Sequence, residues 1–302
     1  MNLTKTNCAI CNKKNDYVIL YKQNFKESDL NPKIFSARRL PDQIHFQIVK
    51  CKNDGLVRSN PVIKKLNLPE LYKKSKFTYS QEVRNLIESY LKCLSPILKN
   101  LNKNVKILEI GCGNGFILNK LYKMGYKNVY GVEPSTDAVN KANEIIKKNI
   151  SVSILKENIY KPRIFDLIFF FQTLDHIPNP NNFLMMCNKY LKNGGSILAF
   201  NHNVNSISSL ILREKSPIID IEHTYLYSFQ TMKKIFEKNG FSVQKVYSPY
   251  NKVSLNYIIK LFPMFKFFKK LLLDSKNLFI KKLLKNSINI KLGNLCLIAK
   301  KI

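Results

Sequence analysis

The chain is poor in the side chain that best reads phosphates and bases. Of its 50 basic residues only six are arginine, and the lysines are scattered over the whole length. Arginine is the residue that pairs bidentately with phosphate and guanine. The net charge of +30 therefore describes solvated faces better than a nucleic-acid groove, and nucleic acid is not an expected partner. Attraction to anionic substrates or membrane surfaces stays open. No uninterrupted apolar run approaches the ~18 residues of a membrane span. The opening residues Met1-Asn2-Leu3-Thr4-Lys5 lack a signal-peptide pattern, and the seven cysteines are odd in number. Both point to reduced thiols in a cytoplasmic chain rather than to a disulfide framework.

What is present suffices for a folded chain. With 302 residues and 45% hydrophobic content, one large domain and a small appendage are expected. The organising stretch is Val105-Lys106-Ile107-Leu108-Glu109-Ile110-Gly111-Cys112-Gly113-Asn114-Gly115. Its apolar half reads as a central parallel strand. Its alternating glycines allow a sharp turn and close approach of backbone to a ligand. Phe116 to Met124 then reads as a helix. Strand, glycine turn and helix form the nucleotide-cradle layout of doubly wound folds. Twenty residues past Gly113, the strand Val129 to Glu133 ends in a carboxylate, where a ribose diol needs an acceptor. The dinucleotide fingerprint would require glycine at 116, where Phe116 stands, and no lysine follows the turn to cradle phosphate.

Leu108 to Gly115 resembles the first motif of class I S-adenosylmethionine-dependent methyltransferases, and Glu133 resembles their ribose-binding acid. The resemblance runs from about residue 80 to 248. It implies an α/β fold: a Rossmann-like seven-stranded, mostly parallel sheet flanked by helices, in the order 3-2-1-4-5-7-6. It also implies S-adenosyl-L-methionine as cofactor, held by Glu109, Gly111, Gly113, Gly115 and Glu133. After a third strand, Ser151 to Leu155, the family places an acidic or amide residue near the adenine amino group. Glu157 and Asn158 are the matching positions here.

Residues 1–62 read as a separate small region, ahead of a methyltransferase domain over 63–302. Cys8-Ala9-Ile10-Cys11 is a C-x-x-C knuckle, and Cys51 to Gly55 is its partner if Asp54 replaces a fourth cysteine. Cys8, Cys11, Cys51 and Asp54 could then hold one structural zinc, since thiolates and a carboxylate are zinc ligands. The pattern resembles the N-terminal zinc ribbon of a subset of these methyltransferases, often sugar-modifying ones. The other reading is a ribbon that has lost its metal and holds by packing. His45 lies between the knuckles and reads as a surface or loop residue rather than a ligand.

Leu71 to Lys74 and Phe77 to Tyr79 form an aromatic segment, either a flap over the pocket or a linker. Ser80 to Leu98 is an amphipathic helix that Pro96 should kink or end. Ser135 or Thr136 caps a helix reaching about Lys148. Phe165 to Phe171 is the fourth strand, and Ser196 to Phe200 the fifth, after a helix Asn181 to Leu191 stopped by Asn193-Gly194-Gly195. Ligands of such sheets bind at the carboxyl ends of the strands. Gln172 is expected against the cofactor, with Thr173, Asp175, His176, His202 and His223 toward the acceptor. His176 and His223 are the candidate catalytic residues. A histidine can serve as general base near neutral pH, or His176 can simply orient its loop. Glu222 and Tyr225 could touch substrate.

Phe241 to Tyr247 is the sixth strand and Gly293 to Lys300 the seventh. Residues 249–292 between them read as a lysine-rich helical insert. It could cover the pocket, pair two subunits as a homodimer, or lie on an anionic membrane through 253–285. The expected activity is methyl transfer to a small molecule, with a sugar or nucleotide-linked sugar of surface-polysaccharide synthesis preferred by analogy. The alternatives are an RNA methyltransferase and a non-catalytic protein that keeps the fold.

Overall fold

The structure is a computed structural model, and it describes residues 3–29, 43–63, 82–261, 266–275, 277–291 and 293–302. The aromatic segment 71–79 lies outside the described residues. Seven strands build the central sheet: β1 (Ile107–Ile110), β2 (Val129–Glu133), β3 (Ile150–Val152), β4 (Phe165–Phe171), β5 (Leu191–His202), β6 (Phe241–Tyr247) and β7 (Asn294–Lys301). Their spatial order is β3-β2-β1-β4-β5-β7-β6, as the family resemblance implied. The first five pair in parallel, with Leu108 opposite Tyr130 on one side and Ile168 on the other. β7 runs antiparallel to both β5 and β6.

Both faces of this sheet are covered, which is why β1 and β4 read as almost unbroken apolar runs. Alternate residues of β4 serve opposite cores. Ile168 and Phe170 pack with the helices Pro180–Tyr190 and Phe229–Lys238. Leu167, Phe169 and Phe171 pack with the helices Val83–Leu98 and Phe116–Lys123. Tyr90 stacks on Phe171 at 3.8 Å between ring centroids and meets Phe200 edge-on at 5.1 Å. Ser228 opens the Phe229 helix with a capping box, its hydroxyl and that of Thr231 each accepting the other's backbone N–H.

Several boundaries differ from the sequence reading, each for a local reason. Pro96 sits inside its helix, which runs on to Leu98. The stretch expected as one helix to Lys148 is two, Thr136–Asn140 and Glu144–Lys147. Asn143 breaks it, because its side chain accepts the Ile145 N–H and starts a new turn. Strand β5 begins at Leu191, immediately after the helix, and the glycine pair falls in a register shift between Leu191 and Ser196.

The N-terminal residues fold against the sheet domain. Strands Tyr17–Tyr21, Ile48–Cys51 and Val57–Ser59 form a small sheet whose fourth strand, Tyr225–Leu226, comes from far along the chain. Cys8, Ala9, Cys51 and Leu56 join the core beneath Pro180–Tyr190. His45 is not a surface residue: it is fully buried, with its ring between the Phe46 carbonyl at 2.7 Å and Glu214 at 3.1 Å. The insert is helical over Leu255–Leu261, Lys266–Leu273 and Leu278–Lys285, but it also has a base the sequence reading lacked. Strands Asn251–Ser254 and Ser287–Ile290 pair antiparallel and close it. Lys252 ties that base to the Val83–Leu98 helix through Ser89 and Glu88, at 2.8 and 2.7 Å. No described helix is long and apolar enough to cross a membrane.

Phe169 is fully buried between β1 and β5. Phe169→Ala is expected to lower the unfolding free energy by about 3–5 kcal/mol, measured by urea denaturation of the two proteins side by side.

Candidate active site

A cavity of about 1080 Å³ opens over the carboxyl ends of β1, β2, β4 and β5. Single-ligand pockets span roughly 300–1,000 Å³, so this one has room for two molecules. One end is the glycine turn. Gly111 and Gly115 have φ of +72° and +65°, conformations that L side chains enter only at a cost. Space adds a second constraint. A Cβ on Gly111 would lie 2.5 Å from Thr173 Oγ1, and one on Gly115 would lie 2.7 Å from the Ile146 Cδ1. Thr173 itself is held by donating to the Phe171 and Ile110 carbonyls at 3.1 and 3.3 Å.

Glu133 closes this end. Its two carboxylate oxygens accept the backbone N–H groups of Gly113 and Ser135, each at 2.8 Å. The turn therefore positions the acid as well as the backbone. Burial raises the Glu133 carboxyl above its ordinary value, against the pull of those two amides. Glu109 is buried in the same wall, and burial, with Glu133 beside it, holds its carboxyl well above the usual range. Glu109 Oε2 and Gln172 Oε1 are buried without a hydrogen-bond partner, and both residues line the cavity. Buried polar atoms are rarely left so. Such a cradle fits a ligand that carries hydroxyl and ammonium donors, as the cofactor implied by the sequence does.

The third strand corrects the adenine-side expectation. β3 ends at Val152, so Ser153, Ile154 and Leu155 line the cavity. Glu157 and Asn158 are exposed and lie outside the cavity lining, and Glu157 pairs with Lys189 at 3.5 Å. Extending the strand to Leu155 in the sequence displaced the expected contact along the chain. Glu109, Gly111, Gly113, Glu133 and Gln172 do line the cavity; Gly115 stands behind it as the N-cap of the next helix.

The other end is polar and buried. Asp175 is fully buried, and its Oδ2 accepts the His202 backbone N–H at 3.2 Å. Burial lifts its carboxyl to about 6, opposed by nearby His223, the Asn201 amide and that same N–H. His202 and His223 meet edge-on with ring centroids 5.1 Å apart, and His176 lies 4.8 Å from His223. His223 Nδ1 faces the Ile218 carbonyl at 2.7 Å. A carbonyl only accepts, so Nδ1 carries a proton, and in the neutral ring the lone pair is on Nε2. The N-terminal sheet steadies this loop. Ser59 donates through its hydroxyl to the His223 carbonyl at 2.9 Å and through its backbone to Thr224 at 3.0 Å.

His176, one of the two expected catalytic residues, is half-buried and lines the cavity, where proton uptake is opposed. Burial and the neighbouring His223 hold its pKa down to about 3, with the Glu222 main chain pulling the other way. It is neutral at physiological pH and a weak proton acceptor. Tyr225 lies outside the cavity, with its hydroxyl donating to the Asn7 carbonyl at 3.1 Å. Glu222 and Asp220 line the cavity with His223. The insert contributes Val253, Tyr257, Ile258 and Ile290 to the wall. Ile207 and Ile211, 79% and 73% exposed, form an apolar lip. No pattern in the sequence signalled that lip, whereas the insert's share of the wall fits the pocket-covering role that was one of its three readings.

The knuckle residues also converge. One ligand atom from each of Cys8, Cys11, Cys51 and Asp54 lies within 4.8 Å of the others. The Cys11 and Cys51 sulfurs are 3.6 Å apart, and Cys8 Sγ lies 3.6 Å from Asp54 Oδ2. Among the described residues no disulfide forms, and all seven cysteines are free.

Residues 79–246 match the family model described as a methyltransferase domain. The human mitochondrial ubiquinone biosynthesis O-methyltransferase is 27% identical over 180 residues, covering 51% of this chain and 48% of that protein. The chain thus spans about half the length of the curated relatives it matches. Among solved structures, a chain of the complex between the Haloferax volcanii Trm112 methyltransferase activator and a methyltransferase superposes with a TM-score of 0.54 at 15% identity, covering 74% of this chain and 92% of that one. An S-adenosylmethionine-dependent methyltransferase from Archaeoglobus fulgidus gives 0.50 at 19% identity, covering 74% and 98%. These structural likenesses show the fold.

Gly111→Ala is expected to destabilise the protein by at least about 1–2 kcal/mol from the left-handed backbone alone, with the Thr173 contact adding to it. Adding Thr173→Ala removes the crowding but not the backbone term, so denaturation midpoints should show only partial recovery.

Proposed function

The chain belongs to the methyltransferase-domain family, and from that premise we propose that it transfers a methyl group from S-adenosylmethionine to a hydroxyl of a small, partly apolar acceptor. The observation that carries this is one continuous cavity, with the Gly111–Gly113 turn and Glu133 at one end and His176, His202 and His223 at the other, Asp175 lying buried behind them. When bound, S-adenosylmethionine supplies a methyl group already carried on a sulfonium. The chain's task is then alignment, which can be worth ~7–11 kcal/mol. Glu133 would accept the ribose hydroxyls, and Glu109 and Gln172 would meet polar groups of the amino-acid portion. Ser153, Ile154 and Leu155 would flank the base.

A hydroxyl acceptor must lose a proton, and a positioned base contributes ~10²–10⁴-fold. Desolvation and the neighbouring His223 lower the proton affinity of His176 and favour a positioning role for it against His223. Asp175 and His223 are the groups that would take the proton. The apolar lip of Ile207 and Ile211 and the insert's Tyr257 and Ile258 favour an acceptor with an apolar portion. The named relatives act in ubiquinone biosynthesis as O-methyltransferases, which agrees with a hydroxyl acceptor. A sugar or nucleotide-linked sugar is the second reading. The assembled cluster of Cys8, Cys11, Cys51 and Asp54 favours it, because the ribbon it resembles occurs in sugar-modifying members. We assign that cluster one structural zinc: three thiolates and a carboxylate complete a tetrahedral site and leave no open position.

Calorimetry with S-adenosylmethionine is expected to show binding that Glu133→Ala weakens by about 100-fold, the loss of roughly 3 kcal/mol of charge-assisted hydrogen bonding. Binding that is absent, or indifferent to Glu133, would reject the cofactor assignment. The affinity should also fall on acidification. Glu133 takes up its proton above the ordinary glutamate range, and a protonated carboxyl loses an acceptor. The fall should begin at that higher pH and be missing in Glu133→Gln. A screen of phenolic and nucleotide-sugar acceptors with labelled methyl donor separates the two acceptor readings, transfer to the phenols alone being expected. Metal analysis should find about one thiolate-bound zinc per chain, with Cys11→Ser losing it and melting earlier. Zinc-free protein of unchanged stability would reject the site.

A further inference from the structure

We propose that Asp175, His202 and His223 form a second metal site, for a divalent transition-metal ion, at the acceptor end of the cavity. The three offer one ligand atom each within 4.8 Å of one another. Ligands around a tetrahedral zinc lie about 3.4 Å apart for bonds near 2.0–2.1 Å, so binding requires the donors to close by up to about 1.4 Å. Asp175 and His223 are buried; His202 and His223 line the cavity, and Asp175 stands behind them.

Three independent features point to a ligand there. The first is Asp175 Oδ1: the residue is 0% exposed, and this oxygen meets no hydrogen-bond donor in good geometry. An ionised carboxylate in such a place is costly without a cation or full hydrogen bonding. The second is the His223 tautomer. The Ile218 carbonyl, 2.7 Å from Nδ1, holds a proton there and leaves Nε2 of the neutral ring as the nitrogen able to take a metal. That is the outer-shell arrangement by which metal-bound histidines are oriented. The third is convergence. Asp175 follows β4, His202 ends β5, and His223 precedes the Tyr225–Leu226 strand. Three separate segments deliver donors to one point, and backbone bonds tie them together, His202 N–H to Asp175 Oδ2 and Thr224 N–H to the Asp175 carbonyl.

The donor set selects the ion class. Two imidazoles and one carboxylate suit zinc, iron(II), cobalt(II) or manganese(II) better than magnesium or calcium, which prefer oxygen. Three protein ligands leave at least one coordination position open to the cavity. An acceptor hydroxyl bound there would ionise more readily, and two adjacent oxygens, as in a vicinal diol or catechol, could chelate the ion. This use of the site rests on the methyl-transfer reading; the binding of the ion does not.

The test is cobalt(II) loading of the full-length chain after chelator treatment, followed by absorption spectroscopy and metal content. Wild type is expected to take up two ions per chain. One should show the sulfur-to-cobalt charge-transfer band of the cysteine cluster, and the other should lack it. His202→Ala and Asp175→Asn are each expected to weaken the second ion by about 100-fold or more while keeping the sulfur band. Circular dichroism and retained S-adenosylmethionine binding certify that the variants are folded. If wild type takes up only the sulfur-bound ion, or both folded variants hold as much cobalt as wild type, the site is rejected. A protein that takes up no sulfur-bound ion should still hold one cobalt that His202→Ala removes. Failure of the wild type to bind S-adenosylmethionine would sink the methyl-transfer reading and leave the metal count standing.

Discussion

The cavity depends on one carboxylate being fixed before any ligand arrives. Glu133 is clamped by two backbone amides, from Gly113 in the turn after β1 and from Ser135 at the start of the next helix. Each bond uses an N–H that a turn or helix start leaves without an intrahelical partner. The clamp ties the first strand's turn to the second strand's end, so the floor of the cavity and its acid cannot move apart. Burial opposes the charge that makes Glu133 useful, and the two amides are what keep ionisation within reach. Glu109 lies in the same wall, and burial with Glu133 beside it holds its carboxyl well above the usual range. A ligand bearing hydroxyl and ammonium donors would relieve both.

The far end of the cavity follows a different logic. There the sheet supplies Asp175 and His202 from neighbouring strands, but His223 arrives from a loop that the sheet alone does not hold. The N-terminal segment does that work. Its strand Val57–Ser59 pairs with Tyr225–Leu226, and Ser59 bonds the carbonyls of His223 and Thr224. The knuckle residues Cys8 and Cys51 are buried in the core under the same region. The N-terminal region is thereby mechanically linked to the acceptor side, and a metal in the cysteine cluster would stiffen a support of the site without entering the chemistry. The insert acts similarly from the opposite side. Its two-stranded base is anchored to the Val83–Leu98 helix through Glu88 and Ser89, and it presents Tyr257 and Ile258 to the cavity.

Much of the cofactor end was legible in the sequence, because it is encoded locally. A buried strand, alternating glycines and an acid at the next strand end each leave a pattern within a few residues, and the strand order followed from the resemblance they carried. On the adenine side a three-residue strand gives too little periodicity to fix its own end, and Glu157 and Asn158 lie outside the cavity that Ser153 to Leu155 line. The acceptor end was legible only as a set of separate candidates. Gln172, Asp175, His176, His202 and His223 could be named, but their convergence is a property of three distant segments. Nor can a sequence show desolvation. His176 looked like a base suited to neutral pH, and desolvation beside a second imidazole holds its proton affinity down. His45 does lie in a loop and outside the cysteine cluster, but nothing local marks a histidine that long-range packing buries.

The most direct measurement of the central claim is a crystal structure with S-adenosylhomocysteine bound. The account requires both ribose hydroxyls within hydrogen-bonding distance of the Glu133 carboxylate and the sulfur directed along the cavity toward Asp175, His202 and His223. A nucleoside bound away from Glu133, or a sulfur facing away from that cluster, would contradict it.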